Sequence, residues 1–300
     1  MTDYHVPVLL KESVVGLNID PEGIYIDVTY GSGGHSKAIL KRLTKGKLIV
    51  FDQDQQSVKN KIIGDTRFTM INKNFKNLKS ELKKLGVNTI NGLIADLGVS
   101  SHHFSDNGRG FSFQYEARLD MRMDNNSQKD AVFILNQYDR KNLERIFFEH
   151  ADFHNRRLIT DKIIIARVKK PILTTFDLKE IFQGFVSSRN ENKFFARLFQ
   201  AIRIEVNDEL NVLKHLLLQA LDLLNSSGRL VVISYHSLED VLVKRFMKFG
   251  HFSNTPQKDF FGKVSTPFKV LTKSPISPRE QELKSNSRSR SAKLRICEKL

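Results

Sequence analysis

Short apolar segments that end at polar residues recur through the first hundred positions of the chain. Four of them have the length and β-branched content of buried strands, and they cover residues 23–30, 47–51, 67–71 and 90–95. Helix-like spacing of apolar residues fills the intervals, as it does over residues 38–43. Because strand and helix alternate in this way, the sequence predicts a parallel sheet of the α/β class.

A different pattern follows residue 100. Residues 119–124 alternate apolar and polar side chains with a period of two, which predicts an extended segment. Residues 128–198 then have the spacing of several amphipathic helices and no strand pattern. We expect this stretch to be a helical insertion into a domain that comprises residues 1–127 and 199–300.

The strand pattern returns towards the C-terminus. An apolar helical stripe covers residues 206–224, and Gly228 separates it from a buried-strand run at 230–234. The Ser- and Arg-rich residues 285–293 are typical of a flexible tail, whereas the alternation over 292–297 predicts an edge strand. The insertion therefore interrupts one continuous sheet.

The distribution of charge adds a candidate partner. The net charge is +15, and residues 241–300 contribute +10 of it, with fourteen basic and four acidic residues. A segment this basic attracts polyanions by releasing their counterions, which makes nucleic acid the first candidate. On charge alone, an anionic membrane or a simple gain in solubility is also compatible.

Targeting and redox signals are few. No apolar run approaches the roughly 18 residues needed to span a bilayer, and Asp3 stands where a secretory signal would carry a basic residue. Cys297 is the single cysteine, so the chain can form no internal disulfide and no cysteine-based zinc site. We expect a cytoplasmic protein without a membrane partner.

Two features of the first strands point to a nucleoside cofactor. The turn Gly31-Ser-Gly-Gly34 lets backbone approach a ligand, and Asp52 ends the second strand, where a carboxylate can accept both hydroxyls of a ribose. A dinucleotide fingerprint would place a third glycine at Ser36, while methyltransferases favour an acid at the position of Asp27. S-adenosylmethionine is therefore favoured, with a mere packing turn and solvated strand ends as the alternatives.

Further candidates follow other strands. Asp96 ends the fourth strand, and in an open α/β sheet the carboxyl ends of the strands face the ligand crevice. An Asp that only caps the next turn is the alternative. Phe75 follows the third strand and could stack on an adenine, with an ordinary core aromatic as the equal alternative.

The segment after the last parallel strand holds the remaining candidates. Ser237 and Asp240, three residues later, are typical of a helix-capping pair. This leaves Ser234 and His236 as candidates for contact with the substrate, and an ordinary loop histidine is the alternative for His236. The nine histidines show no metal-ligand spacing, so no metal is expected.

Sequence motifs extend well beyond these candidates. In chain order they are HVPVLL at 5–10 with Glu12, DVTYGSGGHS at 27–36, DQD at 52–54, NF at 74–75, DLGVSS at 96–101, RGFSF at 109–113, LDMRMD at 119–124, FQAIR at 199–203, VNDEL at 206–210, HSLED at 236–240 and SRSRSAKLR at 287–295. Through them the chain resembles the bacterial small-subunit (16S) ribosomal RNA cytosine-N4-methyltransferases along nearly its whole length. Motifs this long and in this order are not expected by chance.

The resemblance implies a class I, Rossmann-like methyltransferase sheet with an inserted helical subdomain for RNA recognition. It also implies methylation of the exocyclic N4 amine of one cytidine in the decoding region, with S-adenosylmethionine as donor and ribosomal RNA or the 30S particle as partner. The family's cofactor contacts carry over to Gly33, Gly34, His35, Asp52, Phe75, Asp96 and His103. Many relatives have glutamine in place of His103, arginine in place of Val241 and a more acidic stretch at 150–154.

An exocyclic cytosine amine is a weak nucleophile because its lone pair is delocalised into the ring. A residue of the enzyme must therefore accept its proton or a hydrogen bond from it. We expect Asp96 to be this acceptor, assisted by Ser234 or His236.

The basic C-terminal segment and the insertion are expected to clamp an accessible stretch of RNA. Arg288, Arg290 and Arg295 are the predicted contacts of that segment. Two other functions are the alternatives: a nicotinamide-dependent oxidoreductase, which should have glycine at position 36, and a non-catalytic RNA-binding or ribosome-assembly factor. Binding of the cofactor would distinguish the second rival from an enzyme.

Overall fold

A computed structural model of the chain describes residues 7–98, 108–125, 127–255 and 266–300. The chain forms two compact units. The sheet unit comprises Met1–Gly98 and Leu210–Leu300, and the helical unit comprises Val99–Glu209.

Among the described residues, seven strands form a single sheet in the sheet unit. They are β1 (Ile24–Asp27), β2 (Lys47–Phe51), β3 (Phe68–Ile71), β4 (Ile90–Asp96), β5 (Leu224–Ser234), β6 (Phe268–Val270) and β7 (Lys293–Lys299). The spatial order is β3-β2-β1-β4-β5-β7-β6, in which β1 to β5 are parallel and β7 is antiparallel to both of its neighbours. The predicted α/β class is confirmed, although β1 ends at Asp27 rather than at residue 30.

Several helices lie before or between the strands of the sheet unit along the chain, whereas five successive helices belong to the helical unit. Within the described residues the helices are α1 (Leu10–Gly16), α2 (Gly34–Leu40), α3 (Leu78–Lys84), α4 (Ala131–Gln137), α5 (Arg140–Glu149), α6 (Arg156–Lys169), α7 (Thr175–Ile181), α8 (Ser188–Asn207), α9 (Glu209–Leu223), α10 (Ser237–Phe249) and α11 (Glu280–Ser285). The predicted stripe over 206–224 is divided between α8 and α9 because Asp208 adopts a left-handed backbone conformation, with φ of 51°. None of the described helices is long and apolar enough to cross a membrane.

Alternation along the strands distributes the apolar side chains of the sheet unit between two faces. On β5, Leu230 and Val232 join one core cluster, while Val231 and Ile233 join the other. The first cluster also contains the apolar stripes of α3, α9 and α10, and the second contains those of α1 and α2. Because both faces are covered, β1 and β4 are apolar along most of their length and end at the acids Asp27 and Asp96.

The C-terminal segment differs from expectation in two respects. The alternating residues 292–297 do form the body of β7, but this strand lies between β5 and β6, so the prediction of an edge strand is wrong. The edge is β6, whose three residues are too short to show a periodic pattern. The residues before β7 fold as α11 and a short 3-10 helix, Ser287–Ser291, instead of a tail.

The helical unit has a core of its own, and its helices α4 to α8 agree with the predicted amphipathic pattern. This core extends from Phe111 to Val206, which is wider than the predicted insertion at 128–198. The segment 119–124 buries its apolar positions in this core, as its period of two predicts. No strand forms there, however, because Met121 turns the chain with a φ of 58°.

Candidate active site

The carboxyl end of β1 leads into a turn that only glycine can form. Gly33 adopts a left-handed φ of 76°, and a Cβ at this position would lie 2.8 Å from the ring of Tyr30. At Gly34 a Cβ would overlap Cγ of Pro7. Tyr30 and Pro7 therefore occupy the space that side chains would need at the start of α2, and both positions require glycine.

Asp52 follows β2 and holds this turn in place. One of its carboxylate oxygens accepts the amide of Gly31 at 2.8 Å, and the other accepts the amide of Asp54 at 2.9 Å. Asp54 is buried and caps the short 3-10 helix Gln55–Asn60. Since each carboxylate oxygen has two lone pairs, Asp52 can hold the turn and still accept ribose hydroxyls.

Asp27 is a buried acid rather than a solvated strand end. Its side chain accepts the hydroxyl of Ser36 at 2.7 Å and the amide of Thr29 at 3.0 Å. Burial raises the pKa of Asp27, and these hydrogen bonds oppose the rise. Ser36 thus has a role of its own at the position of the missing third glycine, because its hydroxyl fixes the orientation of Asp27.

Asp96 ends β4 and collects several polar contacts of the site. Its Oδ1 accepts the hydroxyl of Tyr235 at 2.7 Å, and its amide donates to Oγ of Thr29 at 2.7 Å. Its Oδ2 lies 3.9 Å from Nδ1 of His35, and the side chain keeps 22% exposure. Burial raises the pKa of Asp96 to about 6, and the hydrogen bond from Tyr235 opposes the rise. Asp96 can therefore change its protonation state near neutral pH.

His35, on α2, is neutral at neutral pH because burial lowers its pKa more than the charge of Asp96 raises it. Its Nε2 lies 3.2 Å from the carbonyl oxygen of Val8, where only a ring N–H can donate. We assign the proton to Nε2 on this ground, which leaves Nδ1 unprotonated towards Asp96. The contact between His35 and Asp96 is then not an ion pair.

Tyr235 is a site residue that the sequence analysis missed. Burial and the charge of Asp96 raise the pKa of its phenol, so the hydroxyl stays protonated and donates. A Cβ on Gly98 would lie 3.3 Å from its ring, and its amide donates to Glu239 at 2.9 Å. The sequence feature that could have identified Tyr235 is its position as an aromatic residue directly after the last parallel strand.

The cap of α10 differs from the predicted one. His236 is the N-cap residue, and its Nδ1 accepts the amide of Glu239 at 3.4 Å. In return the carboxylate of Glu239 accepts the amides of Tyr235 and His236. The predicted pair Ser237 and Asp240 is wrong because the helix begins at Ser237, which moves the capping box one residue towards the N-terminus.

Two further predicted residues are held within the sheet. Ser234 is buried, and its hydroxyl donates to the carbonyl oxygen of Lys293 on β7 at 3.4 Å. Arg295 is also buried and binds the carboxylate of Asp240 at 2.6 Å. The expectation that Arg295 binds RNA is therefore wrong, since its guanidinium neutralises an internal acid. Arg290 is exposed.

Phe75 begins a 3-10 helix, Phe75–Asn77, after β3, and it is partly buried against the core of the sheet unit. Next to it, Asn74 donates to the side chain of Gln53 at 2.6 Å, which links the ends of β2 and β3. His103 and the serines at 100–101 lie outside the described residues, as does the side chain of Arg288.

The carboxyl ends of β1, β2, β4 and β5 thus bring the glycine turn, Asp52, Asp27 and Asp96 to one side of the sheet. This arrangement offers a glycine turn, a carboxylate for ribose hydroxyls and, in Asp96, an acid whose pKa lies near neutral pH. A small nucleoside cofactor and an acceptor for a proton are the chemistry that it can provide.

Comparison with known proteins gives one consistent result. The MraW methylase family matches residues 2–300. A protein of Flavobacterium johnsoniae named ribosomal RNA small subunit methyltransferase H is 48% identical over 299 residues, which are 99% of this chain and 98% of that protein. The protein of the same name from Flavobacterium psychrophilum is 51% identical over 292 residues, which are 97% of this chain and 100% of that protein. The resemblance seen in the motifs is confirmed, and the chain belongs to the MraW methylase family.

Proposed function

We propose that this chain transfers the methyl group of S-adenosylmethionine to the exocyclic N4 amine of a cytidine in the decoding region of small-subunit ribosomal RNA. The observation that carries the proposal is the hydrogen-bonded acid Asp96, which lies at the crevice end of the sheet beside the glycine turn. The relatives named above support ribosomal RNA as the substrate class. An enzyme of ribosomal RNA works where ribosomal subunits are made, in the bacterial cytoplasm.

The residues of the crevice fit S-adenosylmethionine. When bound, this cofactor supplies an electrophilic methyl group on a sulfonium. Asp52 would hold the ribose, and Phe75 would cover the adenine with the face that the core leaves open. Gly33 and Gly34 would contact the cofactor through their backbone, and Asp27 would hold the methionine amino group. His35, Asp96 and His103 complete the proposed set.

Asp96 and the residues around it position the nucleophile, which is the exocyclic amine of the cytosine. Oδ2 of Asp96 accepts a hydrogen bond from the cytosine amine, orients its nitrogen and takes the proton that this nitrogen loses. Tyr235 occupies Oδ1 and favours the ionised form of the acid. The assistance expected from Ser234 and His236 is indirect, because both fix the segment that carries Tyr235.

The partner is an accessible stretch of RNA, either free or in an incompletely packed 30S particle, because the target base must leave its stack. The helical unit carries side chains suited to this contact. The guanidinium of Arg156 lies 4.4 Å from the ring centre of Phe148, and the ammonium of Lys179 lies 5.3 Å from that of Phe176. Both rings are partly exposed. Such paired aromatic and basic groups can stack on bases and neutralise phosphates.

Methyl transfer in vitro tests the proposal. Purified chain, methyl-labelled cofactor and 30S particles that lack the modification should yield label in N4-methylcytidine after digestion of the RNA. Asp96→Asn should lower turnover by about 100-fold or more with little change in cofactor affinity. Full turnover and full affinity in this variant would remove Asp96 from the mechanism. Absence of label with the wild-type chain would favour the non-catalytic rival.

A further inference from the structure

A groove of about 600 Å³ lies on the sheet unit between α1, α2 and α11. Its floor is apolar and includes Pro7, Val14 and Ala38. None of the chemistry described above uses this groove. Its position and its charges nevertheless connect it with the reaction.

Three cations line the groove: Lys11 on α1, and Lys41 and Arg42 just after α2. All three side chains are exposed. None of them forms an ion pair with any residue that the structure describes. Three positive charges without an ion pair among the described residues therefore line the groove, which also contains the acids Glu12 and Glu282.

The two acids of the groove are already engaged with the protein. Glu282 accepts the amide of Leu9 at 2.7 Å, which ties α11 to the start of α1. Glu12 lies 4.0 Å from the guanidinium of Arg279, a residue whose side chain is 86% exposed. The two acids are thus held in place by the protein, and the three cations of the lining outnumber them by one.

We propose that this groove binds the phosphate backbone of the RNA substrate on its way to the crevice; this inference rests on the proposed function. Unpaired, exposed cations around an open groove match the regular charges of a single-stranded backbone. The place also fits, because Pro7 on the groove floor packs against Gly34 at the cofactor turn. RNA held in the groove therefore lies beside the segment that begins α2.

A triple variant tests the inference: Lys11, Lys41 and Arg42, each replaced by Gln. Since these side chains are exposed, the variant should keep the wild-type melting temperature and cofactor affinity. A matched triple, in which the exposed Lys59, Lys61 and Lys83 become Gln, removes the same charge outside the groove. Binding of a labelled small-subunit ribosomal RNA fragment is then measured from 0.05 to 0.5 M salt for all three proteins.

Each lost phosphate contact on a single strand lowers the salt slope by about 0.7, so the groove variant should lose about 2 units of slope and roughly 100-fold in affinity at 0.1 M salt. The matched triple should lose much less of either. Equal losses of salt slope and affinity in both triple variants would overturn the proposal that the groove binds RNA. Unchanged binding to free RNA with weakened binding to 30S particles would overturn it in favour of a protein partner. If the wild-type chain binds RNA through the groove but never methylates it, the proposed function is wrong and the proposal that the groove binds RNA is retained.

Discussion

The hydroxyl of Tyr235 should set the pH at which the site becomes active. Tyr235→Phe removes the donor to Oδ1 of Asp96, at 2.7 Å, and keeps the ring beside Gly98. Burial already raises the pKa of Asp96 to about 6. Loss of a hydrogen bond that favours the ionised form raises this pKa further, and a protonated acid cannot accept the proton of the amine.

The size of the effect follows from the energy of that bond. A hydrogen bond to a charged group contributes about 1.5 to 3 kcal/mol, and one pKa unit equals about 1.4 kcal/mol, so the shift should be about one to two units. Wild-type turnover falls as the pH drops through about 6. In Tyr235→Phe the fall should be centred between about pH 7 and 8, with a loss of about twofold to tenfold at pH 7 and recovery by about pH 9.

The assay is the pH dependence of kcat, from pH 5 to 9.5, at saturating cofactor and RNA. Tyr25→Phe is a matched control, because Tyr25 is also buried but its hydroxyl accepts the backbone amide of Asp20 at 2.7 Å. In the control, kcat should fall at the same acidic pH as in the wild type. If kcat falls at the same acidic pH in Tyr235→Phe as in the wild type, the reasoning is refuted. An equal loss of kcat at every pH would show that Tyr235 contributes only packing.

Three other substitutions test separate parts of the account. Asp96→Asn should stabilise the fold while it removes activity: the folded-state pKa of about 6 exceeds the unfolded value of 3.8, so the wild type loses stability as the pH rises from about 4 to 6 and stays destabilised above that. Urea denaturation should show a gain of up to about 3 kcal/mol at pH 8 that shrinks as the pH falls towards 4, and an equal gain at both pH values would contradict this. Asp52→Asn should weaken cofactor binding by about 10-fold to 100-fold in calorimetry and leave kcat at saturating cofactor nearly unchanged, whereas unaltered affinity would exclude Asp52 from the cofactor site. Arg295→Ala should lower the free energy of unfolding by about 1.5 to 3 kcal/mol because Asp240 loses its nearest cation and keeps only Lys293, at 3.4 Å, whereas a fully stable variant with weaker RNA binding would show that Arg295 contacts RNA.

The parallel sheet and its crevice were predictable because they follow from composition over short segments. Strands buried on both faces need continuous apolar runs, and the polar residues that end them must meet at one edge. Asp52 and Asp96 were found by this argument. β6 could not be predicted in this way, because three residues are too few to show a periodic pattern.

Contacts between side chains were much less predictable. Ser237 has the preferred side chain for a helix cap, but the start of α10 makes His236 the capping residue. Arg295 counted towards a basic segment, although its guanidinium lies against Asp240 inside the unit. Tyr235 gave no sign of its hydrogen bond to Asp96, because an aromatic residue after a strand is equally compatible with core packing. In each case the decisive partner is distant in sequence or set by a helix boundary.

Mass spectrometry of small-subunit ribosomal RNA nucleosides tests the central claim most directly. The RNA is taken from cells with the gene, from cells without it, and from deletion cells that carry either the wild-type chain or Asp96→Asn. We expect one N4-methylated cytidine to lose its methyl group in the deletion, to regain it with the wild-type chain and to stay unmodified with the variant. An unchanged cytidine pattern in the deletion, or full restoration by Asp96→Asn, would contradict the account.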